Sequence, residues 1–175
     1  GVEVLRISDP AHPEREPQTW PYPRPGKKNA EVTLGLIAAA GGQTTWIAWD
    51  RERYPYLATV VWSEGAPLTI LVQNRAQTEE VLLEVDTATG ATTPLLTETD
   101  DAWLNLFGGM PKWLKDGRSF LWMTERNGAT QLELRGRDGR LMRALTPAEP
   151  GLRAGVDLDE THCMVWVFGG DDPTE

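Results

Sequence analysis

Cysteine is almost missing from this chain, with Cys163 the single one. An internal disulfide, a CxxC redox pair and a thiolate metal cluster are thereby excluded. Histidine is nearly as scarce: only His12 and His162 are present to act as an imidazole base or ligand. Serine occurs three times, as Ser8, Ser63 and Ser119, and none stands in the G-x-S-x-G setting that holds a nucleophile on a strand-to-helix elbow. No apolar run approaches the roughly 20 residues a membrane-spanning helix needs, and no signal-peptide pattern opens the sequence. Positive charge is in short supply, 17 Lys plus Arg against 26 Asp plus Glu, for a formal net charge of -9. Attraction to phosphate needs clustered cations, so the composition argues against nucleic acid or a membrane surface as partner. No phosphate-cradling glycine loop is present either, because Gly41-Gly42 and Gly108-Gly109 read as turns between strands with no helix behind them. No cofactor is assigned. The missing disulfide does not identify a compartment, and for a longer parent protein the periplasm or the exterior is favoured over the cytoplasm.

What is present is ordinary globular composition, 40% hydrophobic and 25% charged, with an unusual eight tryptophans. Flat amphipathic side chains of that kind suit packed sheet faces. The stretch 103–146 carries three tight-turn signals, Asp116-Gly117, Asn127-Gly128 and Asp138-Gly139, spaced about ten residues apart as in successive hairpins. Between them Ser119 to Met123 is nearly continuous in apolar character, as in a strand covered on both faces. Gln131 to Arg135 alternates strictly, which predicts a half-exposed strand. The unit therefore reads as a four-stranded antiparallel meander.

The pattern repeats. Tyr56 to Trp62, Leu68 to Gln73, Glu80 to Val85 and Ala91 to Leu96 form a second group of four strands, with turns at Glu64-Gly65, Asn74-Arg75 and Thr89-Gly90. Trp62 aligns with Trp113, Thr89-Gly90 with Asp138-Gly139, and Leu96-Thr97 with Leu145-Thr146, at an offset of about 50 residues, the period of propeller repeats. Glu31 to Ala39 and Thr44 to Trp49 supply two strands before these groups, and Val156 to Asp159 with His162 to Phe168 supply two after. The expected fold is all-β: an incomplete β-propeller within a single domain over 1–175. Its parts are a proline-rich connection (1–30), a partial blade (31–50), two full four-stranded blades (56–97 and 103–146) and a second partial blade (152–175). Residues 1–28, crowded with prolines after the run Val2 to Ile7, are expected to be extended and irregular. Closed propellers have roughly four to eight blades, so open blade edges are expected to self-associate or to meet further blades of a longer protein.

Candidate chemistry is thin. His162 and Cys163, adjacent in an expected strand, point to opposite faces and cannot share a metal. Asp157, Asp159 and Glu160 lack the Gly and distal Glu of a calcium loop and read as a turn, while Asp100-Asp101 and Asp171-Asp172 read as solvated loop tips. Ser63 and Ser119 read as strand-edge or turn residues. The residues point to a binding or gating module and supply no catalytic or metal site.

Several motifs nevertheless occur in a specific order. Tyr22-Pro23-Arg24-Pro25-Gly26-Lys27-Lys28-Asn29 precedes a strand pair, YLATVVW and LTILVQNR follow, then Trp103-Leu104-Asn105-Leu106, WLKDGRSFLW from Trp113 to Trp122, and Glu125-Arg126-Asn127-Gly128. This series, covering nearly the whole chain, resembles the N-terminal propeller of dipeptidyl peptidase IV-type enzymes of the prolyl oligopeptidase family, in bacterial form. It departs from them at Phe107-Gly108-Gly109, where bacterial relatives commonly carry a His-Asp-type loop. The resemblance implies a parent serine peptidase in which an eight-bladed propeller caps an α/β-hydrolase domain that releases dipeptides from peptide N-termini. It also implies that the Ser-Asp-His triad and the acidic pair for the substrate ammonium are not among these residues. Peptide substrates would be met through the parent, and only Phe107 matches a position near an extended substrate pocket, the alternative being that it packs at a blade edge. A non-enzymatic propeller scaffold is the competing reading, and a G-x-S-x-G elbow followed by Asp and His in the parent gene discriminates the two.

Overall fold

The computed structural model describes residues 3–22, 26, 28–148 and 152–169, with backbone only at 153–155. Expectations resting on Val2, on Pro23, Arg24, Pro25 and Lys27 of the motif, and on Asp171-Asp172 lie outside the described residues. The chain divides into two units, Gly1–Val32 and Thr33–Glu175.

In the first unit β1 (Val4–Ile7) and β2 (Gln18–Pro21) pair antiparallel, from Val4 opposite Pro21 to Ile7 opposite Gln18. The proline content predicts irregular chain here, yet a ladder forms. A two-stranded ribbon has an open edge on each strand, so a proline at the end of β2 removes no donor that an interior strand would need. Between the strands Asp9 caps a turn, its Oδ1 accepting from the Ala11 amide at 2.9 Å.

The second unit holds twelve strands and, among the described residues, no helix. A pair, β3 (Gly35–Leu36) and β4 (Thr45–Trp46), comes first. A four-stranded antiparallel sheet follows in the order β5 (Tyr56–Val61), β6 (Thr69–Gln73), β7 (Glu79–Val85) and β8 (Thr92–Thr99). A second four-stranded sheet contains β9 (Lys112–Trp113), β10 (Ser119–Thr124), β11 (Gln131–Gly136) and β12 (Leu141–Ala144), again neighbours in sequence order. A last pair is β13 (Leu152–Asp159) with β14 (Met164–Gly169). The first pair is far shorter than the alternating runs that predict it. The last pair starts earlier, at Leu152, and its return strand later, because Thr161 to Cys163 form the turn.

Gly117, Gly128 and Gly139 all have positive φ, which makes them the residues the three hairpin turns depend on, while the preceding Asp or Asn keeps negative φ. Gly139, and Gly90 in the preceding group of strands, also set the distance between sheets. A Cβ on Gly139 would collide with the Leu95 carbonyl of β8, and one on Gly90 with the Trp46 carbonyl of β4.

The continuous apolar strands β6 and β10 are buried along their whole length, as their patterns predict. One cluster lies between the two four-stranded sheets and extends to β13–β14: Leu71, Leu82, Trp113, Phe120, Leu121, Trp122, Met123 and Leu132 are buried, with Val156, Leu158 and Val165 packed against them. Phe120 sits 4.7 Å from Trp113 and 6.5 Å from Trp122 between ring centroids, tilted and edge-on. Burying such side chains contributes about 1.5–3 kcal/mol each. A second cluster lies between β3–β4 and the first large sheet, with Ile47, Trp49, Ile70, Val72, Val81 and Leu83 at its centre and Leu34 and Leu36 against it.

The alternating strand β11 does not leave one face to water. Gln131, Glu133 and Arg135 are buried along with Leu132, and Leu134 is partly buried. Partners for them come from within the sheet: Arg135 Nε donates to Glu133 Oε2 at 2.8 Å, Nη1 donates to the Gly139 carbonyl at 2.7 Å, and Gln131 Nε2 donates to the Thr146 carbonyl at 3.1 Å. Arg135 Nη2 is 2.6 Å from the same carboxylate oxygen but is not aligned to hydrogen-bond it. A paired charge tolerates the covering sheet where an unpaired one would not. Tryptophan also departs from the expected packing, since Trp49, Trp113 and Trp122 are buried whereas Trp20, Trp46, Trp62, Trp103 and Trp166 are exposed.

Candidate functional site

A hollow on the second unit lies where the end of β8 and the loop after it meet the β10–β11 turn. It encloses about 180 Å³. Its floor comes from β8, where Thr97, Glu98 and Thr99 contribute, and from Glu125 and Arg126 of the turn. Its wall is the loop carrying Asp100, Trp103, Leu104, Asn105 and Phe107.

The loop is held in shape by its own first residue. Asp100 Oδ1 accepts from the amides of Ala102 at 2.7 Å and Trp103 at 2.9 Å, and these donors, Trp103 foremost, hold the Asp100 carboxyl below its usual range. The amides of Asp100 and Leu104 donate to the carbonyls of Thr78 and Gln77 at 3.0 and 2.9 Å, tying the loop to the first large sheet. Its far side is tied to the second sheet, where Asn105 Nδ2 donates to Glu125 Oε2 at 2.7 Å and Thr130 Oγ1 donates to Glu125 Oε1 at 3.2 Å.

Glu98 is the buried centre of the floor. Its carboxylate accepts from Trp122 Nε1 at 3.1 Å and Thr124 Oγ1 at 2.9 Å, and it pairs with the Arg126 guanidinium. Arg126 Nε also donates to Thr124 Oγ1 at 3.2 Å. Three donors on one buried carboxylate make a rigid polar base, and the guanidinium fork fixes direction as well as charge. Across the sheet Glu80 lies opposite Glu98. Burial, then the Glu98 charge, push the Glu80 carboxyl up to about 7, against the donation from Gln73.

Phe107 is half-buried. It packs against the core cluster and also lines the hollow. Trp103 is exposed on the same wall. The hollow has an aromatic wall, Trp103 and Phe107, over a hydrogen-bonded polar floor. It contains no serine, cysteine or histidine. Ser63 follows β5, Ser119 is buried at the start of β10, and Ser8 follows β1. His162 pairs with Asp159 at 2.7 Å and His12 with Glu14 at 3.1 Å, neither with a serine. His162 and Cys163 belong to a turn, contrary to the strand expected of them, and Cys163 has a positive φ. Asp159 serves that turn, its Oδ1 accepting from the Thr161 and His162 amides at 2.9 and 3.2 Å, whereas Glu160 accepts from the Lys115 amide of another turn at 3.1 Å.

Glu98 and Arg126 did not stand out in the sequence as a pair. They are 28 residues apart, and only the adjacency of two sheets joins them. The visible signal is a charged residue in an otherwise Thr- and Leu-rich strand.

Residues 1–174 match the family described as the dipeptidyl peptidase IV (DPP IV) N-terminal region. The chain belongs to that family. Among curated relatives of this N-terminal region, inactive dipeptidyl peptidase 10 of Rattus norvegicus is 26% identical over 124 residues, 69% of this chain and 15% of the relative. The same protein of Mus musculus is 27% identical over 105 residues, 58% of this chain and 13% of the relative. The crystal structure of Porphyromonas gingivalis dipeptidyl peptidase 4 superposes with a TM-score of 0.71 at 18% identity, covering 87% of this chain and 22% of that one. At that identity the likeness shows the fold alone, an all-β arrangement of small antiparallel sheets. The chain thus spans under a quarter of the length of each of these dipeptidyl peptidase IV-type relatives.

Proposed function

We propose that this chain is part of the propeller of a dipeptidyl peptidase IV-like serine exopeptidase, where it gates and positions peptide substrates while the hydrolase domain of the parent supplies the chemistry. The observation that carries this reading is the family match across residues 1–174. In it the two four-stranded sheets are complete blades, covering 56–97 and 103–146, and the pairs within 31–50 and 152–175 are partial ones, with 1–30 as a connection and open edges that self-associate. The propeller admits short or unfolded peptides to a site where an oxyanion hole stabilises the tetrahedral intermediate. Phe107 and its hollow contact the substrate beyond the cleaved dipeptide, the Glu98–Arg126 floor keeping the loop in place.

Two measurements test this. Residues 1–175 alone should leave Gly-Pro and Ala-Pro chromogenic substrates intact and the full-length product should hydrolyse them; turnover by the isolated chain sinks the proposal. In the full-length enzyme, Phe107→Ala should raise KM for longer peptides about tenfold, a loss of about 1.4 kcal/mol of binding, with kcat unchanged as expected of uniform binding. An unchanged KM removes Phe107 from the substrate path.

A second reading has its own support. The curated relatives named above are inactive dipeptidyl peptidases, which favours a non-enzymatic propeller scaffold. Absence of a G-x-S-x-G elbow with later Asp and His in the parent gene decides for it.

A further inference from the structure

The hollow between the two large sheets carries more negative charge than its own lining neutralises. Glu98, Asp100 and Glu125 line it, and Arg126 is the only cation among the described lining residues. Arg126 is spent on the floor: its guanidinium pairs with Glu98, and its Nε donates to Thr124 Oγ1 at 3.2 Å. Glu98 in turn is 7% exposed and accepts from Trp122 and Thr124. The two other carboxylates are held by neutral donors. Asp100 has the Ala102 and Trp103 amides, and Glu125 has Asn105 Nδ2 at 2.7 Å and Thr130 Oγ1 at 3.2 Å. Such bonds fix a carboxylate in place without discharging it. Beside them stands Trp103, 53% exposed.

The corresponding corner of the first large sheet shows what such a setting accepts. There the loop after β4 meets the start of β7, much as the loop after β8 meets the β10–β11 turn. It too offers an aromatic ring and a carboxylate, with the Tyr54 hydroxyl donating to Glu79 Oε1 at 2.9 Å. The chain supplies the cation itself. The Arg53 guanidinium lies 5.2 Å from the Tyr54 ring centroid, and its Nη2 donates to Glu79 Oε1 at 2.8 Å and to Oε2 at 3.1 Å. In the hollow a ring and carboxylates again stand together, and among the described residues no cation stacks on Trp103.

We infer that the hollow takes a basic side chain of the peptide, a lysine or arginine beyond the cleaved dipeptide, with its cationic head against the Trp103 ring and the Glu125 and Asp100 carboxylates. This names the substrate chemistry of the hollow and rests on the reading that the hollow contacts substrate. Its space of about 180 Å³ lies below the roughly 300–1,000 Å³ of pockets for whole small molecules, which suits a single side chain. Indole is the strongest aromatic partner for a cation. Lysine and arginine also carry an apolar stem that packs along a ring such as Phe107 while the charged head reaches further. An acidic side chain meets like charge instead, because the amide donors on Asp100 hold its carboxyl below the usual range and ionised at neutral pH.

The test uses the full-length product and Gly-Pro-(Ala)n peptides in which each position after the second carries lysine, norleucine or glutamate in turn. At one position KM should be about tenfold lower for lysine than for norleucine, the scale of one cation–π contact joined by a charge-assisted hydrogen bond, and higher for glutamate. The lysine preference should shrink between roughly 0.01 and 1 M salt, as the Debye length falls from about 30 to 3 Å. Glu125→Gln, which keeps the size and an acceptor for Asn105, and Trp103→Leu should each lower the norleucine-to-lysine KM ratio toward one. A ratio taken within each variant does not depend on that variant's overall activity. Equal KM for lysine and norleucine at every position, while Phe107→Ala still raises KM for longer peptides, overturns the inference and leaves the substrate-contact reading standing. A lysine preference that survives both Glu125→Gln and Trp103→Leu places the cation elsewhere and overturns it too. A full-length product that hydrolyses none of these peptides, or a Phe107→Ala variant with every KM unchanged, removes the substrate-contact reading and the inference with it.

Discussion

Glu80→Gln tests the electrostatics beneath the hollow. Glu80 is buried on β7, between Gln73 on β6 and Glu98 on β8, and Gln73 Nε2 reaches its Oε2 at 3.2 Å. Arg126 neutralises Glu98 from the other side, so no cation is assigned to Glu80 itself. Burial and the Glu98 charge raise the carboxyl from 4.5 to about 7. The folded chain therefore holds this proton more tightly than the unfolded one, and stability falls as pH rises between the two values, then levels off. At about 1.36 kcal/mol per pH unit the full loss is about 3 kcal/mol. Glutamine keeps the size and the bond to Gln73 and carries no charge. Urea unfolding followed by circular dichroism at fixed chain concentration should find the variant and the parent chain equally stable near pH 4.5 and the variant more stable by up to about 3 kcal/mol at pH 8. Carboxylates held low by hydrogen bonds, such as Asp86 and Asp100, lose their contribution as pH falls, and that loss is common to both chains. A difference that does not change with pH refutes the reasoning.

Glu133→Ala or Arg135→Ala should each cost about 3–5 kcal/mol in the same unfolding assay, because either leaves a buried charge alone, whereas replacing both by leucine and methionine should be close to neutral. Gly139→Ala and Gly128→Ala share a positive φ that costs an alanine about 1–2 kcal/mol, but only Gly139 abuts another strand's carbonyl. The excess loss in Gly139→Ala over Gly128→Ala therefore measures the approach of the sheets, and equal losses would remove that contact from the account.

Turns and strands were legible in the sequence because their causes are local. Asp-Gly and Asn-Gly pairs need only their own backbone to turn, and Ser119 to Met123 needs only its run of apolar residues to announce a covered strand. The order of the motifs likewise carried the family. β2 was missed because Pro21 within it and Pro17 before it speak against a sheet, and the absence of an interior partner that lets a ribbon accept a proline is a property of the fold. The burial of Glu133 and Arg135 was missed because alternation reports polarity, and polarity predicts exposure only until two opposite charges on one face meet.

Local pattern by itself determined the all-β class, the meander unit, its period and the family. Tertiary structure alone decided which surfaces are covered and which groups form the hollow. Trp62 and Trp113 occupy the same place in the repeat, and a neighbouring strand buries one and not the other. Glu98 and Arg126 become partners only when separate sheets stack. Covering and stacking depend on residues distant along the chain, and no local window contains them.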